Sequence, residues 1–119
     1  MATFSRVLLS GSTSGAPIPV AATATPGTLL HTAVAGATSF DEVYLWASNT
    51  SAATATLTIE WGGVTDPGSL ITKALDIPAK SGPTLIVAGE SINGALAVRA
   101  FSGTASAINI TGHVNRITA

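Results

Sequence analysis

The chain has 119 residues, enough for one domain that buries roughly two thirds of its unfolded surface. Charged residues make up only 9% of it and the formal net charge is −1, so the sequence offers no basic stripe for nucleic acid and no polybasic patch for a membrane. It contains no cysteine, which excludes disulfides and thiolate metal sites. The N-terminus lacks the pattern of a signal peptide, so we expect synthesis in a cytoplasm.

The first part of the chain is predicted to form a strand and an extended arm. Residues 4–9 are a short strand candidate, and the stretch 11–27 contains three prolines among small residues, which excludes a helix and discourages strand pairing. Apolar side chains in this stretch favour an arm that packs on a neighbouring subunit over a disordered linker. An ordered loop on the chain's own sandwich is the alternative. The interface candidates in the arm are Pro17, Ile18 and Val20.

The most regular pattern lies between Val43 and Gly63, after a strand predicted for 28–34. Apolar and polar residues alternate there in two runs joined by a small polar turn, and this period of two indicates strands. We predict that the two runs pair with each other as a β-hairpin. Asp41 and Glu42, at the entrance of the first run, are interpreted as a solvated acidic pair.

The second half of the chain adds strands separated by turn signals. A dense turn at 62–69 contains Asp-Pro-Gly, and an Asn-Gly pair marks another turn at 90–94. About eight strands and no helix predict an all-β, antiparallel two-sheet β-sandwich of jelly-roll or immunoglobulin-like topology, with the extended N-terminal arm. The predicted division is strand and arm over 1–27 and sandwich over 28–119. The strands predicted in this half are 70–77, 84–88, 95–101 and 107–117.

Residues that could carry chemistry are few and scattered. His31 and His113 lie in separate predicted strands, with no carboxylate nearby in sequence and no partner at metal-ligand spacing. A glycosidase would need Glu60 and Glu90 to meet in an aromatic cleft, and aromatics are scarce. The sequence has no nucleophile elbow, dinucleotide fingerprint or P-loop. We therefore expect no enzyme activity, no catalytic residue, no metal and no cofactor.

The charge-poor composition favours protein contacts. Ala, Ser, Thr and Gly supply 62 residues, and so neutral a surface suggests that another protein covers much of it, with a monomer solvated by hydroxyls as the alternative. An arginine within an apolar strand can bind carboxylates or carbonyls of a partner protein at an interface. The alternative is an arginine at a sheet edge whose guanidinium group stays in water. Aromatic anchors are enriched in interfaces. The candidates of these two kinds are Arg6, Tyr44, Trp46, Arg99 and Arg116.

The residues from about 40 to 117 also resemble a class of known proteins. The segments concerned are ASNTSAATATLTIEWGG, the following Asp-Pro turn, SGPTLIVAGESINGALAVRAF and INITGHVNRI. They are similar to small β-structured virion proteins of tailed bacteriophages. That group includes capsid cement or decoration proteins, which sit on the lattice of the major capsid protein as trimers, and also neck, tail and fibre components.

The resemblance implies a structural function. The expected protein is a homotrimeric decoration protein on the capsid surface, made in the host bacterial cytoplasm, whose partners are itself and the major capsid protein or other virion proteins. A neck, tail or fibre component is the first alternative. A carbohydrate-binding or adhesin module is the second, and it would use Tyr44 and Trp46 as an aromatic platform.

Overall fold

The structure, a computed structural model, describes residues 2–118. Met1 and Ala119, the outer limits of the two predicted segments, lie outside the described residues. Within 2–118 the chain forms nine strands and no helix. The strands are β1 (Thr3–Leu8), β2 (Ile18–Pro19), β3 (Thr28–Thr32), β4 (Phe40–Asn49), β5 (Ala55–Trp61), β6 (Leu70–Ile77), β7 (Ser81–Ile92), β8 (Ala97–Ser102) and β9 (Ile108–Thr118).

The strands form two antiparallel sheets. Sheet A has the order β1-β9-β4-β7, with β2 also pairing with β9, and sheet B has the order β3-β8-β5-β6. The prediction of an all-β two-sheet sandwich is confirmed, with nine strands where about eight were expected. The extra strand is the two-residue β2, whose proline-bearing sequence gave no strand pattern.

The pairing is nested, which decides between the two predicted topologies. β5 pairs with β6, β4 with β7, β3 with β8, and both β1 and β2 with β9. The chain is thus one long hairpin whose tip is the predicted turn at 62–69 and whose arms fold over into two sheets. This is a double-sheet jelly roll, and the immunoglobulin-like alternative does not apply.

The predicted hairpin between Val43 and Gly63 is wrong. β4 and β5 belong to different sheets and do not pair. The connection between them is fixed by Asn49, whose Nδ2 donates to the carbonyl oxygens of Ala53 and Ile77 at 2.9 Å. Alternation could not reveal this, because two strands that face each other across a core show the same period of two as two paired strands.

The core lies between the inner faces of the two sheets. Val43 and Leu45 of β4 face Leu57 and Ile59 of β5 there, and all four are fully buried. Gly112 in β9 allows the backbones of β9 and β4 to approach closely, because a Cβ at this position would overlap the carbonyl oxygen of Tyr44. In β4, β5, β8 and β9 one face of each strand, mostly apolar, points into the core, as the period of two in the sequence predicts.

The N-terminal arm packs on its own chain. Ile18 and Val20 have 6% and 0% exposure, and the Val20 amide donates to the Ile108 carbonyl at 2.9 Å. These two residues therefore pack within their own chain, as in the alternative of an ordered loop on the chain's own sandwich, and both β1 and β2 pair with β9. The apolar side chains of Ile18 and Val20 join the hydrophobic core of the chain, so burying them needs no second subunit.

Candidate functional site

Most of the candidate residues lie in two clusters of polar or aromatic side chains or around the buried carboxylate of Glu60. The first cluster lies on the solvent side of sheet A, where β4 and β9 expose every second residue. We call this surface the outer face of sheet A. Its side chains are those of Phe4, Arg6, Leu8, Phe40, Glu42, Tyr44, Trp46, Leu85, Thr111, His113, Asn115 and Ile117.

Three rings pack together at the centre of this face, and we call them the outer aromatic cluster. The Tyr44 and His113 ring centroids are 5.1 Å apart with planes inclined by 19°, because these residues are directly opposite each other in β4 and β9. Trp46 lies 6.4 Å from Tyr44 and 5.7 Å from His113. Rings at these distances and angles cover part of each other's faces, as in offset stacking. All three side chains of the outer aromatic cluster are partly exposed to solvent.

Exposed leucines flank the outer aromatic cluster on both sides. Leu8 is 52% exposed and directly opposite His113. Leu85 is 48% exposed and directly opposite Trp46, so both leucines extend the apolar surface toward the sheet edges. Phe4 is 75% exposed and lies beyond the row that contains Arg6. Exposed apolar side chains grouped in this way on a single chain indicate a contact site.

The charges on the outer face are few. Burial lowers the pKa of the His113 imidazole, and the nearby Arg6 guanidinium lowers it further, so His113 is neutral at pH 7. Arg6 and Glu42 lie on either side of Asn115 and line a shallow groove with it. Within residues 2–118, neither Arg6 nor Glu42 takes part in an ion pair at 4.0 Å or less.

The second cluster is buried and joins the two sheets; we call it the buried histidine cluster. His31 Nε2 lies 2.8 Å from Asp41 Oδ2, and both side chains are at most 1% exposed. The amide of Ser10 donates to His31 Nδ1 at 3.0 Å, so Nδ1 carries no proton and Nε2–H donates to the carboxylate. Arg116 donates to Asp41 through Nε at 2.8 Å and through Nη2 at 3.0 Å.

The buried histidine cluster has a structural arrangement. Burial raises the pKa of Asp41, but the hydrogen bonds from Arg116 and His31 outweigh burial and hold it below the usual value. The same bond to Asp41 raises the pKa of Arg116. Both nitrogens of His31 and both oxygens of Asp41 have partners in the chain, and the group is closed to a substrate.

Three sequence interpretations change here. Asp41 is fully buried, so the solvated acidic pair is wrong for this residue. His31 does have a carboxylate partner, ten positions away, which the fold brings across from the other sheet. Arg116, an interface candidate, is bound to Asp41 within its own chain, although its side chain keeps 28% exposure. No local pattern signals these contacts, because they join β3, β4 and β9.

Glu60 is the buried carboxylate, with 1% exposure. Its Oε2 accepts from the Thr25 hydroxyl at 2.5 Å, and its Oε1 accepts from the Gly27 amide at 2.7 Å. Arg99 Nη1 donates to the carbonyl of Gly27 at 3.2 Å. The interface candidate Arg99 thus helps to fasten the end of the N-terminal segment to sheet B. Thr58, on the same strand, accepts from the Ala74 amide at 3.0 Å.

The eight predicted interface candidates therefore separate into two groups and one remaining residue. Arg6, Tyr44 and Trp46 come together on the outer face of sheet A, which the sequence did not show to be a shared surface. Ile18, Val20, Arg99 and Arg116 make contacts within the chain. Pro17 is exposed in the loop before β2. The missed members of the site are Phe4, Leu8, Leu85 and His113, whose placement depends on strand register.

Other kinds of site are absent from the described part of the chain. Residues 2–118 hold no group of three or more His, Asp or Glu side chains placed to bind a metal ion. They also contain no helix long and apolar enough to cross a membrane. Comparisons with protein-family models, with curated protein sequences and with solved structures find no match to this chain.

Proposed function

We propose that this chain is a structural protein of a tailed bacteriophage virion, of the capsid decoration type. It binds the lattice of the major capsid protein and stabilises the head, and it resides on the capsid surface. The observation that carries the proposal is the outer face of sheet A, where the exposed side chains of Leu8 and Leu85 flank the outer aromatic cluster. Such a face is what a protein that functions through protein contacts presents to its partner.

The energetics of this face suit attachment to a large assembly. Phe4, Leu8 and Leu85 keep about half or more of their surface in water in the single chain. Covering that surface is favourable by about 25 cal/mol per Å² of apolar area. A protein that binds only the assembled lattice stabilises it by mass action, and many copies multiply a small gain.

Fold and composition support the same class. Double-sheet jelly rolls recur in viral capsid domains, although this is an analogy of fold and fold alone does not assign function. The sequence resemblance to small phage virion proteins points in the same direction. A net charge of −1 and 9% charged residues allow many copies to crowd on one shell with little mutual repulsion.

The two alternatives predict different observations. A neck, tail or fibre component would be present in few copies per particle, whereas a decoration protein would be present in many, so the amount of this protein per virion separates them. A carbohydrate-binding module would need an open ring face for the sugar. The faces of Tyr44 and His113 are stacked at 5.1 Å, and this arrangement favours a protein partner.

Binding to heads assembled without this protein tests the proposal. Leu85→Asp should reduce occupancy on the heads at least tenfold, because a carboxylate enters the contact beside Trp46. Leu75→Asp is the matched control, since Leu75 is 43% exposed on β6 of the other sheet and should bind as the wild type does. Wild-type protein that leaves the heads bare, or equal loss with both variants, would reject the proposal.

A further inference from the structure

We propose that the outer face of sheet A packs against the same face of a second copy of this chain, around a two-fold axis that runs along β9. This inference rests on the proposed function in taking that face as a protein contact, and it concerns the part of the face around β1 and β9. Leu85 on β7 lies outside the overlap about β9 and stays open to the lattice. The inference names the partner as a second copy, and its test needs no virion.

Charge placement points to this partner. In the antiparallel register, Arg6 of β1 and Glu42 of β4 are each directly opposite Asn115 of β9, so the three residues form one row with opposite charges at its ends. A half turn about β9 exchanges the two ends of the row. Arg6 of one copy then lies over Glu42 of the second copy, and the reverse pair forms by symmetry. Within residues 2–118 neither side chain has an ion-pair partner.

The apolar rows follow the same symmetry. Leu8 and Tyr44 lie on opposite sides of His113, so the half turn places Leu8 over Tyr44 of the second copy. Phe4 and Phe40 lie on opposite sides of Ile117 in the same way. Each exposed apolar side chain of β1 therefore meets an aromatic side chain of the facing β4, and His113 meets its own copy at the axis.

The overlap of the two copies has the size of a weak, concentration-dependent contact. With the axis along β9, the strands that face each other are β1, β9 and β4, and β1 has six residues. Strands about 4.8 Å apart with about 3.3 Å per residue give an overlap of roughly 300 Å² per copy, so the pair buries roughly 600 Å². Two sheets that pack face to face with nearly aligned strands, as this axis requires, are common in β-sandwiches. The resulting two-fold pair differs from the homotrimer that the sequence resemblance implied.

Charge exchange tests the pairing by analytical ultracentrifugation. At high protein concentration the wild-type protein should sediment as a dimer. Arg6→Glu and Glu42→Arg should each weaken the dimer at least tenfold, because each places like charges opposite each other at two symmetric positions. The double variant Arg6→Glu with Glu42→Arg should restore the dimer. Lys73→Glu, which reverses an exposed charge on β6, is the control and should leave the dimer unchanged.

The outcomes of this experiment are distinct from those of head binding. A wild-type monomer or trimer would overturn the inference, and so would a double variant no better than the single ones. Near-ultraviolet circular dichroism of each variant checks folding, which exposed positions should preserve. A dimer that fails to bind heads would reject the proposed function and leave the inference standing. A monomer that binds heads would overturn the inference and leave the proposed function standing.

Discussion

The two histidine-containing clusters differ in where their polar atoms find partners. In the buried histidine cluster, His31 and Asp41 are hydrogen-bonded within the chain and shut off from solvent. In the outer aromatic cluster, Tyr44, Trp46 and His113 stack on one another at the surface, beside exposed leucines. The difference teaches that the first holds the sheets together, while the second is the surface at which we propose that another molecule binds. Substitutions should separate the two by their effects on stability and on association.

The largest expected loss of stability comes from breaking the buried histidine cluster. Asp41→Asn removes the charge that pairs with Arg116, and we expect it to lower the free energy of unfolding by about 3 kcal/mol. This is the low end for breaking a buried pair, because the Arg116 side chain keeps 28% exposure. Urea denaturation measures it, with Asp76→Asn as the exposed control, expected within about 0.5 kcal/mol of the wild type. Equal loss in both variants would contradict a structural role for the cluster.

A second internal carboxylate should behave like the first. Glu60→Gln replaces an acceptor of two hydrogen bonds, from Thr25 and Gly27, by a group that presents a donor to one of them. We expect a loss of about 2 kcal/mol in the free energy of unfolding. Hydrogen exchange at the Gly27 amide should also become faster than in the wild type. An unchanged exchange rate at this amide would show that Glu60 does not hold the segment.

Protonation of Asp41 at low pH should reduce the stability that the buried histidine cluster provides. The pKa of Asp41 is lower in the folded chain than its ordinary value of 3.8, so its contribution to stability is full above that value. That contribution is lost as the pH falls below 3.8 through the folded pKa. The free energy of unfolding of Asp41→Asn should decline less steeply over this window than that of the wild type. Parallel curves would rule out Asp41 as the group responsible.

The smallest expected effect on stability comes from His113 in the outer aromatic cluster. Its pKa is lower in the folded chain than the ordinary 6.5, because burial and Arg6 disfavour the imidazolium. The stability that the neutral ring provides is therefore present above pH 6.5 and lost as the pH falls through the folded pKa. The slope of unfolding free energy below pH 6.5 should be smaller in His113→Gln. An unchanged slope would assign it to another group.

The sequence predicted local structure better than long-range placement. β6 was predicted with its observed bounds, and the turn at 62–69 lies at the hairpin tip, since both depend on neighbouring residues. The false hairpin of β4 with β5 shows the limit, because alternation fixes which side chains point inward and says nothing about which strand is adjacent.

The candidate site was predictable only in part for the same reason. Tyr44 and Trp46 stood out as aromatics on the polar face of an alternating strand. His113 and Leu8 join them through the register of β9 with β4 and β1, which is a contact between distant parts of the chain. Arg116 looked like an interface residue because its partner Asp41 lies 75 positions away.

The most direct test of the account is hydroxyl-radical footprinting of the two tryptophans. Trp46 lies in the outer aromatic cluster, and Trp61 packs against the core of its own chain, so each molecule carries an internal control. Oxidation is measured by mass spectrometry on free protein and on protein bound to heads. Binding to heads should protect Trp46 several-fold and leave Trp61 unchanged. Equal oxidation of Trp46 in the free and head-bound states would contradict the proposed contact.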